Sequence, residues 1–467
     1  MNPFSLALRN VRRNSRRSAL TLTALAVGAL AILLFGGYVN DTVEGLQTST
    51  VRTYGHLQVV PRDYLDFGRG NPARFSIKDY DTLISRIRSD VELAPMLAVV
   101  TPTLDVEGVA GNFAAGSSSN FSGQGVLPVE HLRQLGWDGF DKHIPARTTA
   151  LKGDAPDAGV IGLGMAQLLS MCDTLKLADC KRLAPNVPAA AVKADEPLSA
   201  DIAALAGTAN TPSTAPSAAA RPFVDLLASS ANGMPNVVRM QVLEAEQQAI
   251  REVDSMYVAM PLPLAQRLVF GPDQRAVSAI VIQLQQTSQM AAAQKRLQHI
   301  LGARAGELDI LTFHDVSPVY DQIVATYDTI FQFIACLMAA ITLFSVANAV
   351  NMAISERTGE IGTLRSLGFQ RGTIRSIFVS EGVLLGVIGT VLGSLLAVLV
   401  ATGINVSHIT WTPPGRTQAI PVFISIFSTP WLVLLTIAGL TIVASLSALV
   451  PATRASRLEI TEALRHA

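Results

Sequence analysis

The feature that most constrains this chain is a set of four long stretches of apolar residues. Ala19–Val39 holds 21 residues without a charge, and as an α-helix it is about 31 Å long, enough to cross the hydrocarbon core of a bilayer. Residues 329–355 and 430–453 are also uncharged, and 376–406 contains a single charge, Glu381. We therefore predict one membrane-spanning helix near the N-terminus and three near the C-terminus.

The overall composition agrees with this arrangement and excludes several classes of protein. Charged residues make up 15% of the chain, against about 25% in an average soluble protein. The 36 basic and 36 acidic side chains cancel, so no basic surface for nucleic acid is indicated. The predicted fold class is an α-helical membrane domain of four transmembrane helices (1+3), with a large mixed α/β extracytoplasmic domain between helices one and two.

The first apolar stretch has two interpretations. A basic segment followed by an apolar run also describes a secretory signal peptide, which would be cleaved after small residues. The sequence Ala24-Leu25-Ala26, however, lies inside the run and not after it. We therefore favour a retained signal anchor over a cleaved peptide.

The orientation follows from the basic residues that flank the apolar stretches, because cytoplasmic segments carry the excess of Lys and Arg. Arginines are concentrated in 1–18, in 356–375 and in the tail 454–467. These three segments are predicted to lie in the cytoplasm. The connection 407–429 has a single arginine, and it and the large domain, 40–322, are predicted to lie on the opposite side.

The large domain shows alternating signals for strands and helices. We predict strands at His56–Val60 and Ala276–Leu284, a helix at Gln289–Leu301, and a strand after Asp254 that leads into a helix near Pro263. Residues 183–222 are dominated by Ala, Pro, Ser and Thr and are predicted to be flexible. A second flexible tip is predicted at 111–125, which is rich in Gly and Ser.

No chemistry-bearing site emerges from this domain. Seven scattered histidines show no metal-ligand spacing, and no zinc, nucleophile-elbow or phosphate-loop motif is present, so we predict no catalytic residue and no metal site. Cys172 and Cys180 lie eight residues apart and form a disulfide in an oxidising compartment, or else remain unpaired thiols. Cys336 falls in an apolar stretch.

The most informative segment follows the second apolar stretch. Residues 356–368 form a short predicted helix in which Ile361, Leu364 and Leu367 make an apolar stripe, and Gly368 is placed to end it. Four charged residues of both signs accompany the stripe: Glu356, Arg357, Glu360 and Arg365. A helix lying on the bilayer surface is one interpretation, although such helices are usually basic and not mixed in charge.

This segment resembles the signature of FtsX-like permease subunits of MacB/LolCE-type (type VII) ABC transporters. The residues that carry the resemblance are Asn351, Glu356, Arg357, Glu360, Ile361, Gly362, Leu364, Arg365, Ser366, Leu367 and Gly368, then Glu381 with Gly382, Gly386, Gly389 and Gly393, and the tail 451–465. The resemblance implies that 356–368 is a coupling helix seated on an ATPase. It implies ATPase contacts for Glu356, Arg357, Glu360, Ile361, Gly362, Leu364, Arg365, Leu367 and Gly368.

The function implied by the resemblance is that of a permease subunit in the cell inner membrane. ATP hydrolysis by a separate ATPase subunit, which holds the ATP and Mg, would drive a conformational change of the periplasmic domain for lipoprotein release or amphiphile efflux. The chain itself would bind no cofactor. Implied partners are the ATPase, a second permease (homodimer or paralogue), a periplasmic adaptor or lipoprotein carrier, and membrane lipid. The alternative is an FtsX-like signalling protein that activates a cell-envelope hydrolase or acts as a sensor.

The third apolar stretch carries residues with more than one interpretation. Gly382 and Gly386, like Gly389 and Gly393, are pairs of small residues that let helices approach closely in lipid. They pack against a helix of the same chain or form a dimer contact. Glu381 is costly near a membrane, and it pairs with Arg371 or Arg375 or with a basic residue of another span.

Overall fold

A computed structural model describes residues 15–68, 71, 74–140, 147–153, 155–177, 180, 222–231, 233–272, 274–412, 415, 417 and 419–457. The chain divides into two compact units. The helical unit is Met1–Gln47, Val319–Trp411 and Ala419–Ala467, and the sheet unit is Thr48–Pro318 and Thr412–Gln418. Residues 183–221 of the segment predicted to be flexible lie outside the described residues.

Helices and strands alternate through the sheet unit, and the helical unit holds the longest helices. The helices are α1 Ser15–Tyr54, α2 Tyr80–Ser89, α3 Pro128–Leu135, α4 Leu163–Leu168, α5 Arg251–Met256, α6 Leu262–Phe270, α7 Met290–Leu301, α8 Phe313–Val316, α9 Pro318–Glu356, α10 Thr358–Ser366, α11 Arg371–Ser407 and α12 Pro430–Ser456. The strands are β1 Leu57–Pro61, β2 Leu97–Asn112, β3 Ser117–Val126, β4 Ala158–Gly162, β5 Phe223–Ser229, β6 Pro235–Glu246, β7 Tyr257–Pro261, β8 Ala279–Leu284, β9 Leu308–Thr312, β10 Thr410–Trp411 and β11 Ile420–Pro421.

In the part of the chain that the structure describes, four helices, α1, α9, α11 and α12, are long and apolar enough to cross a membrane. They confirm the predicted arrangement of one helix near the N-terminus and three near the C-terminus. Each is longer than the uncharged stretch inside it, because a helix satisfies its own backbone groups and continues into flanking polar residues. In α12 the helix begins at Pro430, where the missing N–H of proline costs nothing.

Among the described residues of the sheet unit, nine hydrogen-bonded strands follow the order β3-β7-β4-β6-β5-β2-β8-β1-β9, and β3 also pairs with β2. This extra pairing closes six strands into a barrel, while β2, β8, β1 and β9 form an open sheet. The long strand β2 belongs to both: Leu97–Thr103 pairs with β8 and Leu104–Asn112 pairs with β3. The predicted mixed α/β domain is confirmed, with a closed barrel that the sequence did not indicate.

One prediction for this domain is wrong. Residues 111–125 do not form a flexible tip, because they contain the end of β2, a tight turn and most of β3. The strand β3 pairs with β2 on one side and runs parallel to β7 on the other, and its Phe121 is buried in the core. Pairing on both edges outweighs the weak strand preference of Ser and Gly.

Two further features of the sheet unit concern predicted segments. Cys172 and Cys180 form a disulfide in the structure. The connection 407–429 contains the short hairpin of β10 and β11, and its middle joins the sheet unit. There the backbone N–H of Arg251 donates to the Gly415 carbonyl over 3.0 Å, and that of Thr417 donates to the Ala249 carbonyl over 3.2 Å.

Candidate functional site

The predicted coupling segment is the short helix α10, which follows α9 after a single residue, Arg357. Its C-terminal end has a Schellman motif. The Gly368 N–H donates to the Arg365 carbonyl over 3.1 Å, and the Phe369 N–H donates to the Leu364 carbonyl over 3.2 Å. Gly368 has a φ of +88°, a left-handed conformation that strains other L-residues. The helix therefore ends at the glycine that the sequence indicated.

The apolar stripe of α10 is divided between the interior and the surface. Ile361 is only 3% exposed, Leu364 is half-buried, and Leu367 is 76% exposed. The buried residues around Ile361 come from α9, α11 and α12 and include Val346, Val350, Ile374, Phe378, Ala448 and Ala452. Ile361 therefore anchors α10 in the helical unit, while Leu367 remains open to solvent or a partner.

Arg365 also has a contact inside the chain. Its Nη1 donates a hydrogen bond of 2.6 Å to the carbonyl of Ser456, the last residue of α12. The final carbonyls of a helix lack partners within that helix, so this guanidinium satisfies one of them and ties α10 to α12. The side chains of Glu356 and Glu360 are exposed, and Gly362 is buried.

Glu381 forms an ion pair with Arg357, whose Nη1 lies 4.0 Å from Oε2. Both residues are buried, with exposures of 7% and 5%. In the described part of the chain, Nε and Nη2 of Arg357 have no hydrogen-bond partner. Removing one partner of such a buried ion pair is strongly destabilising, because it leaves the other charge buried without compensation.

The partner of Glu381 is thus the basic residue that follows the preceding span, and not Arg371 or Arg375. The helical geometry explains the difference. Arg375 precedes Glu381 by six residues, which corresponds to a rotation of about 240° around the helix at 100° per residue. Both arginines have exposed side chains, whereas Glu381 lies on the buried face of α11.

Gly382, Gly386, Gly389 and Gly393 of α11 pack against helices of the same chain. A Cβ built on Gly386 would lie 3.1 Å from the Thr441 Cα of α12, and Gly382 approaches Ala448 of the same helix. A Cβ on Gly389 would lie 2.6 Å from the Leu25 Cβ of α1, and one on Gly393 would lie 2.8 Å from the Ala26 Cα. The first pair therefore faces α12 and the second faces α1.

Replacing Gly393 with leucine is expected to lower the stability of the helical unit by about 1–3 kcal/mol. The new side chain would collide with the backbone of α1, which cannot rotate away as a side chain can. The measurement is thermal unfolding of the full chain in mild detergent. Gly403→Leu is the matched control, because a Cβ at Gly403 in the same helix would meet no atom within 4 Å. Equal losses for both variants would contradict the proposed contact.

No group of three or more His, Cys, Asp or Glu side chains that could hold a metal ion occurs among the described residues. The helix α10 is held by Ile361, by Arg365 and by the pairing of the adjacent Arg357, so these contacts tie it to three long helices. Sequence reasoning left the partner of Glu381 open and missed the contact of Arg365 with Ser456, because these partners are distant in the sequence.

Comparison with known proteins gives a family for this region. Residues 332–460 match the family described as FtsX-like permease C-terminal. The chain is 32% identical over 163 residues to the macrolide export ATP-binding/permease protein MacB 1/2 of Paracoccus denitrificans, covering 33% of this chain and 23% of that protein. It is 28% identical over 131 residues to the lipoprotein-releasing system transmembrane protein LolC of Haemophilus influenzae, covering 28% of this chain and 32% of that protein. The matched region therefore spans a third or less of each relative.

Proposed function

The C-terminal third of this chain is an FtsX-like permease domain, and from that premise we propose that the protein is the membrane subunit of an ABC transporter. An ATPase subunit binds ATP and Mg and moves the helical unit through α10. No phosphate-loop motif occurs within these 467 residues, and the proposal places the nucleotide on the ATPase.

The observation that carries the proposal is the division of α10 into an anchored side and an open end. Leu367 is an exposed leucine near half-buried Phe369, and burying its side chain against a partner would remove apolar surface from water, which is favourable. Exposed Glu360 lies on the same helix. An apolar end flanked by charge suits a small protein groove better than a lipid surface.

The proposed topology places both termini and α10 in the cytoplasm and the sheet unit in the periplasm, because arginines flank the cytoplasmic side. A second permease, identical or paralogous, completes the pair over the ATPase dimer. The helix α9 exposes an apolar row at helical spacing, which faces lipid or the second permease: Ile330, Phe333, Leu337, Ile341 and Phe344. The transported substrate is an amphiphile or a lipoprotein that is handed to a periplasmic adaptor or carrier.

Replacing Leu367 with aspartate is expected to reduce co-purification of the phosphate-loop ATPase at least about tenfold, the effect of losing 1.4 kcal/mol of binding. The change places a charge where the proposed groove is apolar. The measurement is the molar ratio of ATPase to permease after affinity purification from native membranes. Leu364 and Arg365 are less suitable positions, because each also has contacts inside the chain.

Two control variants make this result specific. Thr363→Asp puts the same charge on another exposed position of α10, and Val91→Asp puts it on an 86% exposed residue of the sheet unit. Val91→Asp should leave ATPase binding unchanged, and Thr363→Asp should weaken it less than Leu367→Asp. Normal ATPase binding by Leu367→Asp would contradict the coupling role of α10. Stoichiometric recovery of a cell-envelope hydrolase in place of an ATPase would favour a signalling function.

A further inference from the structure

The end of α1 belongs to the sheet unit, where other elements donate hydrogen bonds to its carbonyl groups. The last carbonyl groups of a helix need partners from outside it. Here Gln283 of β8 donates to the Val51 carbonyl over 3.3 Å, and Gln134 of α3 donates to the Thr53 carbonyl over 3.2 Å. Gly55 then ends the helix with a φ of +72°, and a Cβ there would lie 3.0 Å from the Ile282 carbonyl oxygen.

The next residue, His56, is fully buried and uses both of its ring nitrogens. Its Nδ1 accepts the backbone N–H of Leu284 over 3.0 Å. The ring proton therefore lies on Nε2, which donates to the Thr287 hydroxyl over 3.1 Å. The backbone N–H of His56 donates to the Ile282 carbonyl over 2.9 Å. Both the ring and the backbone of His56 are thus bound to β8 and the residues just after it.

The same histidine also holds the segment that leads into α9. The backbone N–H of Phe313 donates to the His56 carbonyl over 3.1 Å, and the two rings pack edge to face. Phe313 begins α8, which only Ser317 separates from α9. Trp137 also packs against His56 in a T-shaped arrangement, with the two ring centroids 4.9 Å apart. Its Nε1 donates a hydrogen bond to the Leu284 carbonyl.

We propose that His56 is a positioning residue that joins the end of α1 and the start of the α8–α9 segment to a single strand, β8. The three segments lie far apart in the sequence and meet at the ring and backbone of this one residue. A movement of either helix end then displaces the open sheet as one body. We call this junction of α1, the α8–α9 segment and β8 at His56 the joint. Its part in transmitting ATP-driven movement rests on the proposed function, whereas the existence of the joint does not.

The first test uses hydrogen exchange of the full chain in lipid nanodiscs, without an ATPase. In His56→Ala, peptides containing Leu284 and Phe313 should exchange at least about tenfold faster. The Leu284 amide loses its acceptor, the Nδ1 atom, and the carbonyl that accepts from the Phe313 amide is no longer held in position. His131→Ala is the matched control, since His131 is another buried histidine and, among the described residues, makes no hydrogen bond to Leu284 or Phe313. Unchanged protection of these two peptides, or an equal increase in every strand of the barrel, would overturn the proposal.

A second arm separates the joint from the proposed function. With the ATPase bound, wild-type protein should change its exchange in β8 and β9 when ATP is added. His56→Ala should keep ATPase binding and hydrolysis but lose this ATP-dependent change, and His56→Gln should restore part of it because glutamine can still accept and donate. Full retention of the change in His56→Ala would contradict the joint. If no ATPase binds the wild-type chain, the proposed function fails and the first test still decides the joint.

Discussion

Acidification from pH 7.5 to 4.5 is expected to lower the free energy of unfolding of the sheet unit by about 2–3 kcal/mol for each of two buried histidines. Burial lowers the pKa of His56 from 6.5 to about 4. Burial, together with the charge of Arg147, lowers the pKa of His131 from 6.5 to about 4. The unfolded chain therefore binds more protons than the folded chain between these values, and the stability present above pH 6.5 is lost as the pH falls toward 4.

Two carboxyl groups with shifted pKa values, Asp79 and Glu246, do not add to this loss of stability between pH 6.5 and 4.5. The pKa of Asp79 is lowered by its hydrogen bond with Arg304, so its contribution is lost only below the ordinary carboxyl pKa of 3.8. Burial raises the pKa of Glu246, which opposes the histidines because protonation favours the folded form. The net fall in the free energy of unfolding between pH 6.5 and 4.5 should therefore come from the two histidines.

The measurement is urea unfolding of the full chain in nanodiscs at several pH values. The double variant His56→Gln with His131→Gln should show a much flatter dependence on pH, because glutamine does not titrate. If the double variant and the wild type lose the same stability between pH 7.5 and 4.5, the buried histidines are not the cause.

Replacing Glu381 with leucine is expected to cost about 3–5 kcal/mol of stability in the helical unit. The change leaves the guanidinium of Arg357, which is 5% exposed, without a counter-charge. Arg357→Met should cost a similar amount, because it leaves the carboxylate of Glu381 buried. Thermal unfolding in mild detergent measures both losses.

The double variant Arg357→Met with Glu381→Leu is the decisive comparison. It removes both charges and fills the space with apolar groups, so it should be far more stable than the sum of the two single losses predicts. Additive losses would show that the two side chains do not interact. Arg371→Met is a control, since that arginine is exposed and its replacement should change stability by less than about 0.5 kcal/mol.

Features that depend on neighbouring residues were predictable from the sequence. The uncharged stretches within α1, α9, α11 and α12 predicted the four long helices, because a membrane-spanning helix must be apolar over its own length. Gly368 marked the end of α10, because a left-handed residue after a helix favours glycine whatever surrounds it.

Features that join distant segments were decided only by the tertiary structure. The pairing of Glu381 with Arg357, the bond from Arg365 to Ser456, and the burial of Ile361 each require helices to meet in one register. The barrel closes only because β3 finds both β2 and β7, and this pairing makes a strand of a segment whose composition favours a loop. Local composition determines which faces of a helix are apolar, but packing between distant segments decides which of those faces meet. That packing therefore also decides whether a charged side chain is paired inside the chain or exposed to a partner.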